Sequence, residues 1–159
     1  MGRTFESLAL LAALALGGSA WAAGKARTID KAAYEAGKAQ IEAQYGVDRK
    51  ACDRLRGQRG EVCEAEAEGR QKSLKAELEA RYKPSPEAWL EAKNVTAEAN
   101  YDVAKARCDA LQGKAEDRCV KQAKAAREAA VRQAKVEKVQ ETGGAFAASR
   151  ARKPRGDDS

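Results

Sequence analysis

Residues 34–55 carry a stripe of positions that are spaced alternately by four and by three. Its members are Tyr34, Lys38, Ile41, Tyr45, Asp48, Cys52 and Leu55. The same spacing returns at Leu90, Asn94, Ala97, Tyr101, Ala104, Cys108 and Leu111. A period of about 3.5 to 3.6 residues places such positions along one side of an α-helix. The pattern therefore predicts two long helices, each with one packed side.

A further helix is expected after each of these two, beginning near Glu61 and near Ala115. The stripe of the earlier one is Cys63, Ala67, Leu74, Leu78 and Tyr82, and that of the later one is Cys119, Ala123, Ala130 and Ala134. Alanine stands in the later helix where the earlier one has leucine. Because alanine buries little apolar surface, we expect this fourth helix to pack weakly or to fray.

The chain contains a duplication with an offset of 56 residues. Seven residues coincide without a gap, namely Tyr45 with Tyr101, Val47 with Val103, Cys52 with Cys108, Asp53 with Asp109, Leu55 with Leu111, Gly57 with Gly113 and Cys63 with Cys119. Seven identities in 19 positions, with rare residue types among them, indicate a duplicated supersecondary unit. Within it, Tyr45, Leu55, Tyr101 and Leu111 are predicted to pack at the seam between helices.

Glycine and proline residues divide the predicted helices. Gly57 and Gly113 lie where a C-terminal helix cap requires a positive φ. Pro84 ends the second helix, and Ser85 with Pro86 is typical of the N-cap and first position of the third. We therefore expect one helical hairpin in residues 23–83, a second in 84–142, and a disordered basic tail in 143–159.

Residues 1–22 are typical of an export signal and not of a folded domain. A short basic start precedes an uncharged stretch of about eleven residues, which is shorter than the roughly 20 residues of a membrane span. Ala20-Trp21-Ala22 supplies a small-x-small cleavage pattern. An uncleaved anchor is the alternative. We expect cleavage here and a mature protein that is soluble in the periplasm.

Four cysteines in an exported chain predict two disulfide bonds. Eleven residues of continuous helix would separate Cys52 from Cys63 by about 16 Å, whereas a disulfide needs Cα atoms within about 7 Å. The turns at the glycines remove this obstacle, so we expect Cys52–Cys63 and Cys108–Cys119. Crosswise pairing between the units is the alternative. A zinc site, whose ligands usually lie two to four residues apart, is disfavoured.

Composition and charge remove several classes of function. The chain has 159 residues, of which 34% are charged, and it contains no histidine. The commonest general base and metal ligand is therefore missing, and we expect no enzyme, no cofactor and no metal. The net charge of +6 is interleaved with acidic residues along most of the sequence, so a specific nucleic-acid surface is not indicated.

The repeated Y-x-V-x4-C-D-x-L-x-G-x5-C pattern behind a signal peptide resembles a group of small exported proteobacterial proteins. These are often labelled TolA-like or cell-envelope-biogenesis proteins, a label that we attribute to shared helix composition rich in alanine, lysine and glutamate. The resemblance covers residues 34–139. It implies a helical fold in an extracytoplasmic compartment, and it carries over no catalytic residues.

Together these observations predict an all-α protein of two tandem disulfide-stapled hairpins. The four long helices form either a closed bundle or an elongated, coiled-coil-like pair, as a monomer or a dimer; the sequence leaves these alternatives open. The expected function is that of a non-enzymatic structural or interaction protein of the cell envelope, with an unidentified protein partner. The alternatives are a periplasmic chaperone-like or stress protein, and a weak binder of an anionic membrane surface or polysaccharide through residues 114–155.

Overall fold

Four helices account for most of the computed structural model, which describes residues 28–143. They are α1 (Lys31–Cys52), α2 (Gln58–Tyr82), α3 (Pro86–Cys108) and α4 (Lys114–Glu141). No strand occurs among these residues, which confirms the predicted all-α fold class. The export signal and the basic tail expected at 143–159, apart from Gly143, lie outside the described part of the chain.

Local sequence signals explain where α1 and α3 begin. Asp30 Oδ1 accepts a hydrogen bond from the backbone N–H of Ala33 at 2.7 Å, and Ser85 Oγ accepts one from Ala88 at 3.0 Å. Each side chain satisfies a donor that the first helical turn would otherwise leave unpaired. Pro86 occupies the first turn of α3, where the N–H that it lacks is not needed.

The two glycines of the turns differ from their predicted role. Both have the positive φ that was expected, +57° at Gly57 and +55° at Gly113. However, α1 ends at Cys52 and α3 at Cys108, so each glycine is the N-cap of the next helix and not the C-cap of the previous one. The chain needs the intervening residues to turn, because α1 and α2 must come close enough for the disulfide.

The helices form an open row and not a closed bundle. Over residues 28–143, α1 packs on α2, α2 on α3 and α3 on α4, and no other pair of helices is in contact. Short turns join successive helices, so neighbours run antiparallel. The sequence left this choice open, and the row leaves one side of α1 and one side of α4 facing solvent.

Small residues make up nearly all of the core. Most of the buried apolar residues are alanines, with two cysteines and one leucine beside them: Cys52, Ala67, Leu78, Ala80, Ala92, Ala97, Ala99, Cys108, Ala123 and Ala134. Alanine lets helix backbones approach closely but contributes little hydrophobic free energy per residue. The row therefore depends on crosslinks and polar contacts between helices as well as on burial.

Candidate interaction surfaces

The turn end of each hairpin is closed by a disulfide. Cys52 is bonded to Cys63 with a Cα–Cα distance of 5.5 Å, and Cys108 to Cys119 with 5.6 Å. Cys52 and Cys108 are buried, at 2% and 1% exposure. The predicted local pairing is confirmed, and all four cysteines are used for crosslinking.

The two leucines of the turns have different surroundings. Leu55 is half-buried, in a turn that adjoins α3 through a hydrogen bond from Gln58 Nε2 to the carbonyl oxygen of Ala106. Leu111 is 41% exposed, so its predicted place at the helix seam is wrong. Its turn lies at the edge of the row, where only α3 and α4 meet.

Tyr45 and Tyr101 are half-buried in the middle of their hairpins. The Arg127 guanidinium lies 5.0 Å from the centre of the Tyr101 ring and donates to Glu98 at 3.1 Å. The positions 56 residues earlier hold Glu42 and Gln71, which are joined by a hydrogen bond of 2.8 Å. Both hairpins thus keep a polar bridge at the same level, which supports the duplication.

The open end of the first hairpin is closed by aromatic rings and an aliphatic side chain. Tyr34 and Tyr82 stack with ring centroids 4.4 Å apart, and the Tyr34 hydroxyl donates to Glu79. This hydrogen bond raises the pKa of Tyr34 to about 12. Leu78 is buried and fills the space beside Gly37, where an added Cβ would lie 2.8 Å from Leu78 Cδ1.

The corresponding end of the second hairpin is held by ion pairs. Lys93 pairs with Glu137, and Lys138 Nζ lies 2.9 Å from Glu87. The hydrogen bond from Lys138 lowers the pKa of Glu87, and the one from Lys93 lowers the pKa of Glu137. All four side chains are partly exposed, so each pair contributes little to stability by itself.

A cleft of about 320 Å³ lies next to these ion pairs. Its floor is on α3, one wall is on α4, and Glu77 of α2 lies at its rim. The lining residues are Glu77, Trp89, Ala92, Lys93, Thr96, Ala97, Asn100, Ala130, Gln133, Ala134 and Glu137. We call this the α3–α4 cleft. Its largest apolar side chain is Trp89, which is half-buried.

The two copies differ at residues that line the α3–α4 cleft. Ala134 occupies the position of Leu78 in the first copy, and Ala130 that of Leu74. On the facing helix, Ala97 stands where the first copy has Ile41. Each replacement removes several carbon atoms. Ala97 and Ala134 are nevertheless buried, at 4% and 3% exposure, whereas Ala130 is exposed.

The α3–α4 cleft is lined by both apolar and charged side chains. Its charged residues are Glu77, Lys93 and Glu137, and Lys93 forms an ion pair with Glu137. Within residues 28–143, no group of side chains is arranged to hold a metal ion. No helix in this range is both long and apolar enough to cross a bilayer.

A search for relatives found no matching protein-family model, and no curated protein or solved structure similar to the chain.

The α3–α4 cleft is not evident from the sequence. Its signal is the replacement of leucine by alanine in α4, from which we expect weak packing or fraying. In the structure α4 is helical through Glu141, and Trp89 of α3 lines the cleft together with alanines of α4. A pattern along one helix does not show what its neighbour places opposite.

Proposed function

We propose that this protein is a non-enzymatic interaction protein of the cell envelope, exported to the periplasm. Its two stapled hairpins form a rigid support, and the α3–α4 cleft receives apolar side chains of a protein partner. The resemblance to small exported proteobacterial proteins agrees with this assignment but supplies no activity.

The α3–α4 cleft is the observation that carries the proposal. The first hairpin has the same framework, with Leu74 where the second has Ala130, an exposed residue of the cleft lining. The complementary occupant of the cleft is therefore aliphatic, such as leucine or isoleucine side chains that project one turn apart from a partner helix. Trp89 offers a rigid apolar surface of the kind that is enriched at binding hot spots.

The disulfides support an extracytoplasmic location. Disulfides persist in oxidising compartments and are rare in the cytosol. Both bonds here close short loops in a protein whose core is mostly alanine, so the fold benefits from a compartment that keeps them oxidised. The proposal includes export directed by residues 1–22 and residence in the periplasm. Subcellular fractionation tests both directly.

Site-specific crosslinking in living cells tests the proposed binding site. A photoreactive amino acid replaces Ala130 in the α3–α4 cleft, and in a matched control it replaces Ala43 on the exposed side of α1. We expect one dominant envelope protein crosslinked from position 130 and much less of it from position 43. Equal capture from both positions, or none from 130, would contradict the assignment of the cleft.

A cavity-filling variant provides the second test. Ala130→Leu introduces the first-copy leucine at an exposed residue of the α3–α4 cleft. Ala134 stays unchanged, because Lys93 stands where the first copy has the Gly37 that makes room for Leu78. We expect loss of partner capture together with a free energy of unfolding raised by about 1 kcal/mol, because the added carbon atoms become partly buried. Thermal unfolding followed by circular dichroism measures the second effect.

The control for this variant is Ala43→Leu, which adds the same groups to the exposed side of α1. It should bind the partner as the wild type does and gain no stability. Trp89→Ala is an independent variant that enlarges the cleft and removes its largest apolar side chain. Undiminished partner capture by both cleft variants would refute the proposed mode of binding.

A chaperone-like function is the second candidate, and the open, apolar lining of the same cleft favours it. Unfolded chains would present aliphatic side chains to the cleft without one defined partner. Suppression of the aggregation of a model client at near-equal molar ratio tests this function. Suppression by the wild type but not by the filled variant would favour the chaperone over a dedicated partner, whereas no suppression would exclude it.

A further inference from the structure

The exposed side of α4 carries six basic residues. They are Lys114, Arg118, Lys121, Lys124, Arg132 and Lys135, and all six are exposed. We call this surface the α4 outer face. Among the described residues, its only ion pair is that of Arg132 with Glu128, at 3.8 Å. Glu128 and Asp117 are the acidic residues on this side, so basic groups exceed acidic ones by four.

Packing on α3 creates this excess. Arg127 and Lys138 of α4 form ion pairs with Glu98 and Glu87 of α3, at 3.1 Å and 2.9 Å. Glu137 of α4 forms an ion pair with Lys93 of α3. The charges of α4 that face α3 are thus largely neutralised within the row. Those that face away are almost all positive.

The opposite end of the row differs in chemistry. The outward side of α1 presents Ala32, Ala36, Ala39 and Ala43, with Lys50 as its main charged group. The positive charge of the described region is therefore concentrated on one outer helix. Such an asymmetry generates an electrostatic potential that orients the molecule toward a negatively charged surface.

Two exposed valines extend the α4 outer face. Val136 is 49% exposed and Val139 is 55% exposed. Eighteen residues make five turns of an α-helix, so Val136 lies on the same side as Arg118, and Val139 on the same side as Lys121. A cluster of several lysines and arginines attracts the surface of an anionic membrane, and exposed apolar side chains beside it add apolar area that the membrane can bury.

We propose that the α4 outer face binds the surface of an anionic lipid bilayer. The 28-residue helix is about 42 Å long and presents its lysines and arginines to lipid headgroups along most of that length. The valines enter the boundary between headgroups and acyl chains, while the long basic side chains reach the phosphates. This binding is peripheral and does not depend on the partner proposed for the α3–α4 cleft.

The two exposed valines, Val136 and Val139, favour an anionic lipid surface over a soluble polyanion as the ligand. A polysaccharide or nucleic acid would compensate the charges but would gain nothing from Val136 and Val139. Single-stranded nucleic acid additionally relies on aromatic side chains for stacking, and the α4 outer face has none.

Vesicle sedimentation with the full chain tests the proposal. The probes are vesicles of phosphatidylcholine alone and vesicles with about one-third phosphatidylglycerol. The wild type should bind the anionic vesicles, and binding should fall steeply as the ionic strength rises from about 0.05 M to about 0.5 M. Comparisons are made between variants of the same chain, so any contribution of residues 1–22 is constant.

Two variants that each lose four positive charges distinguish the effect of the α4 outer face from the effect of net charge. The outer-face variant is Lys121→Gln, Lys124→Gln, Arg132→Gln and Lys135→Gln. The control variant is Lys31→Gln, Lys50→Gln, Arg59→Gln and Lys72→Gln, all at exposed positions without a salt bridge in the described region. Each basic residue near an anionic surface contributes about a fivefold increase in the partition coefficient. The outer-face variant should therefore have a partition coefficient at least a hundredfold lower than the wild type, and the control variant should lose much less.

Heparin chromatography distinguishes lipid from a soluble polyanion. Val136→Ser with Val139→Ser should weaken vesicle binding several-fold and leave the heparin elution position unchanged. Equal vesicle binding by the two charge variants would overturn the assignment to the α4 outer face. Heparin retention that depends on this face, without binding to anionic vesicles, would overturn the choice of lipid.

Discussion

Gly69 of α2 and Ala99 of α3 meet at the seam between the two hairpins. A Cβ added at Gly69 would lie 3.3 Å from Ala99 Cβ and 3.5 Å from the Ala99 carbonyl oxygen. Neither atom moves by a side-chain rotation, because both are fixed to the α3 backbone. The glycine therefore determines how closely the hairpins approach each other.

Substitution of Gly69 by alanine should lower the free energy of unfolding by about 1 kcal/mol, because the two helices must move apart. Gly46→Ala is the matched control in α1, since an added Cβ there meets nothing within 4 Å. It should raise stability by about 0.5–1 kcal/mol through helix propensity alone. Chemical denaturation measures both, and a similar gain from the two substitutions would show that the seam tolerates a methyl group.

Prediction from sequence was most successful for residues whose role is set by their own backbone or covalent chemistry. Gly57 and Gly113 have the expected positive φ, and Cys52 is bonded to Cys63. Leu111 repeats Leu55 in sequence but remains exposed, because the third helix that adjoins the first turn has no counterpart beside the second. Identical residues in a repeat acquire different burial when one copy lies at an edge.

At the scale of elements, each disulfide joins two antiparallel helices at their turn. Cys52→Ser with Cys63→Ser, or Cys108→Ser with Cys119→Ser, should lower the free energy of unfolding by about 3 kcal/mol, as expected for opening a loop of about a dozen residues. Thermal unfolding with and without reductant measures this effect. If either pair of substitutions left the melting temperature unchanged, the staple would have no stabilising function.

The open end of the second hairpin should be sensitive to acid. The ion pairs lower the pKa of Glu87 and Glu137 below the ordinary value of 4.5. Their stabilising contribution is therefore complete above pH 4.5 and is lost as the pH falls below that value through the lowered pKa of the folded state. Carboxylate titration by NMR should show depressed midpoints for both residues. Midpoints at the ordinary value would contradict the ion pairs.

Replacement of the lysine partners provides the control for the acid titration. Lys93→Gln should return the Glu137 midpoint toward its ordinary value and leave that of Glu87 depressed. Lys138→Gln should have the converse effect. If either variant shifted the titration midpoints of both Glu87 and Glu137, the two ion pairs would be coupled and could not be treated as independent.

The predicted elements agree with the structure in number and order, and they differ at their ends. The stripes of period 3.5 to 3.6 identified all four helices, since this period depends on local geometry. The end of α1 at Cys52 was not predicted, because Leu55 continues the stripe although the chain has already left the helix. The α3–α4 cleft was missed for a related reason: it depends on Trp89 and Ala134 together, on two different helices.

At the scale of the whole molecule, the central helices contact two neighbouring helices and the outer helices only one within residues 28–143. Amide hydrogen exchange should therefore be slowest in α2 and α3 and faster in α1 and α4. Within α1 and α4, protection should be greatest near the disulfides. Mass spectrometry of peptic fragments resolves these regions. Uniform protection across the four helices would contradict the open row and would indicate a closed assembly.

A row in which each helix touches only its sequence neighbours also has an evolutionary consequence. The two hairpins are joined through a single interface, that of α2 with α3, so gain or loss of a hairpin disturbs one interface and leaves the others intact. The duplication recorded in the sequence required no rearrangement of an existing core. The two copies now differ at positions 41, 74 and 78 and their counterparts 97, 130 and 134, which are aliphatic in the first hairpin and alanine in the second, because a change within one hairpin leaves the packing of the other intact.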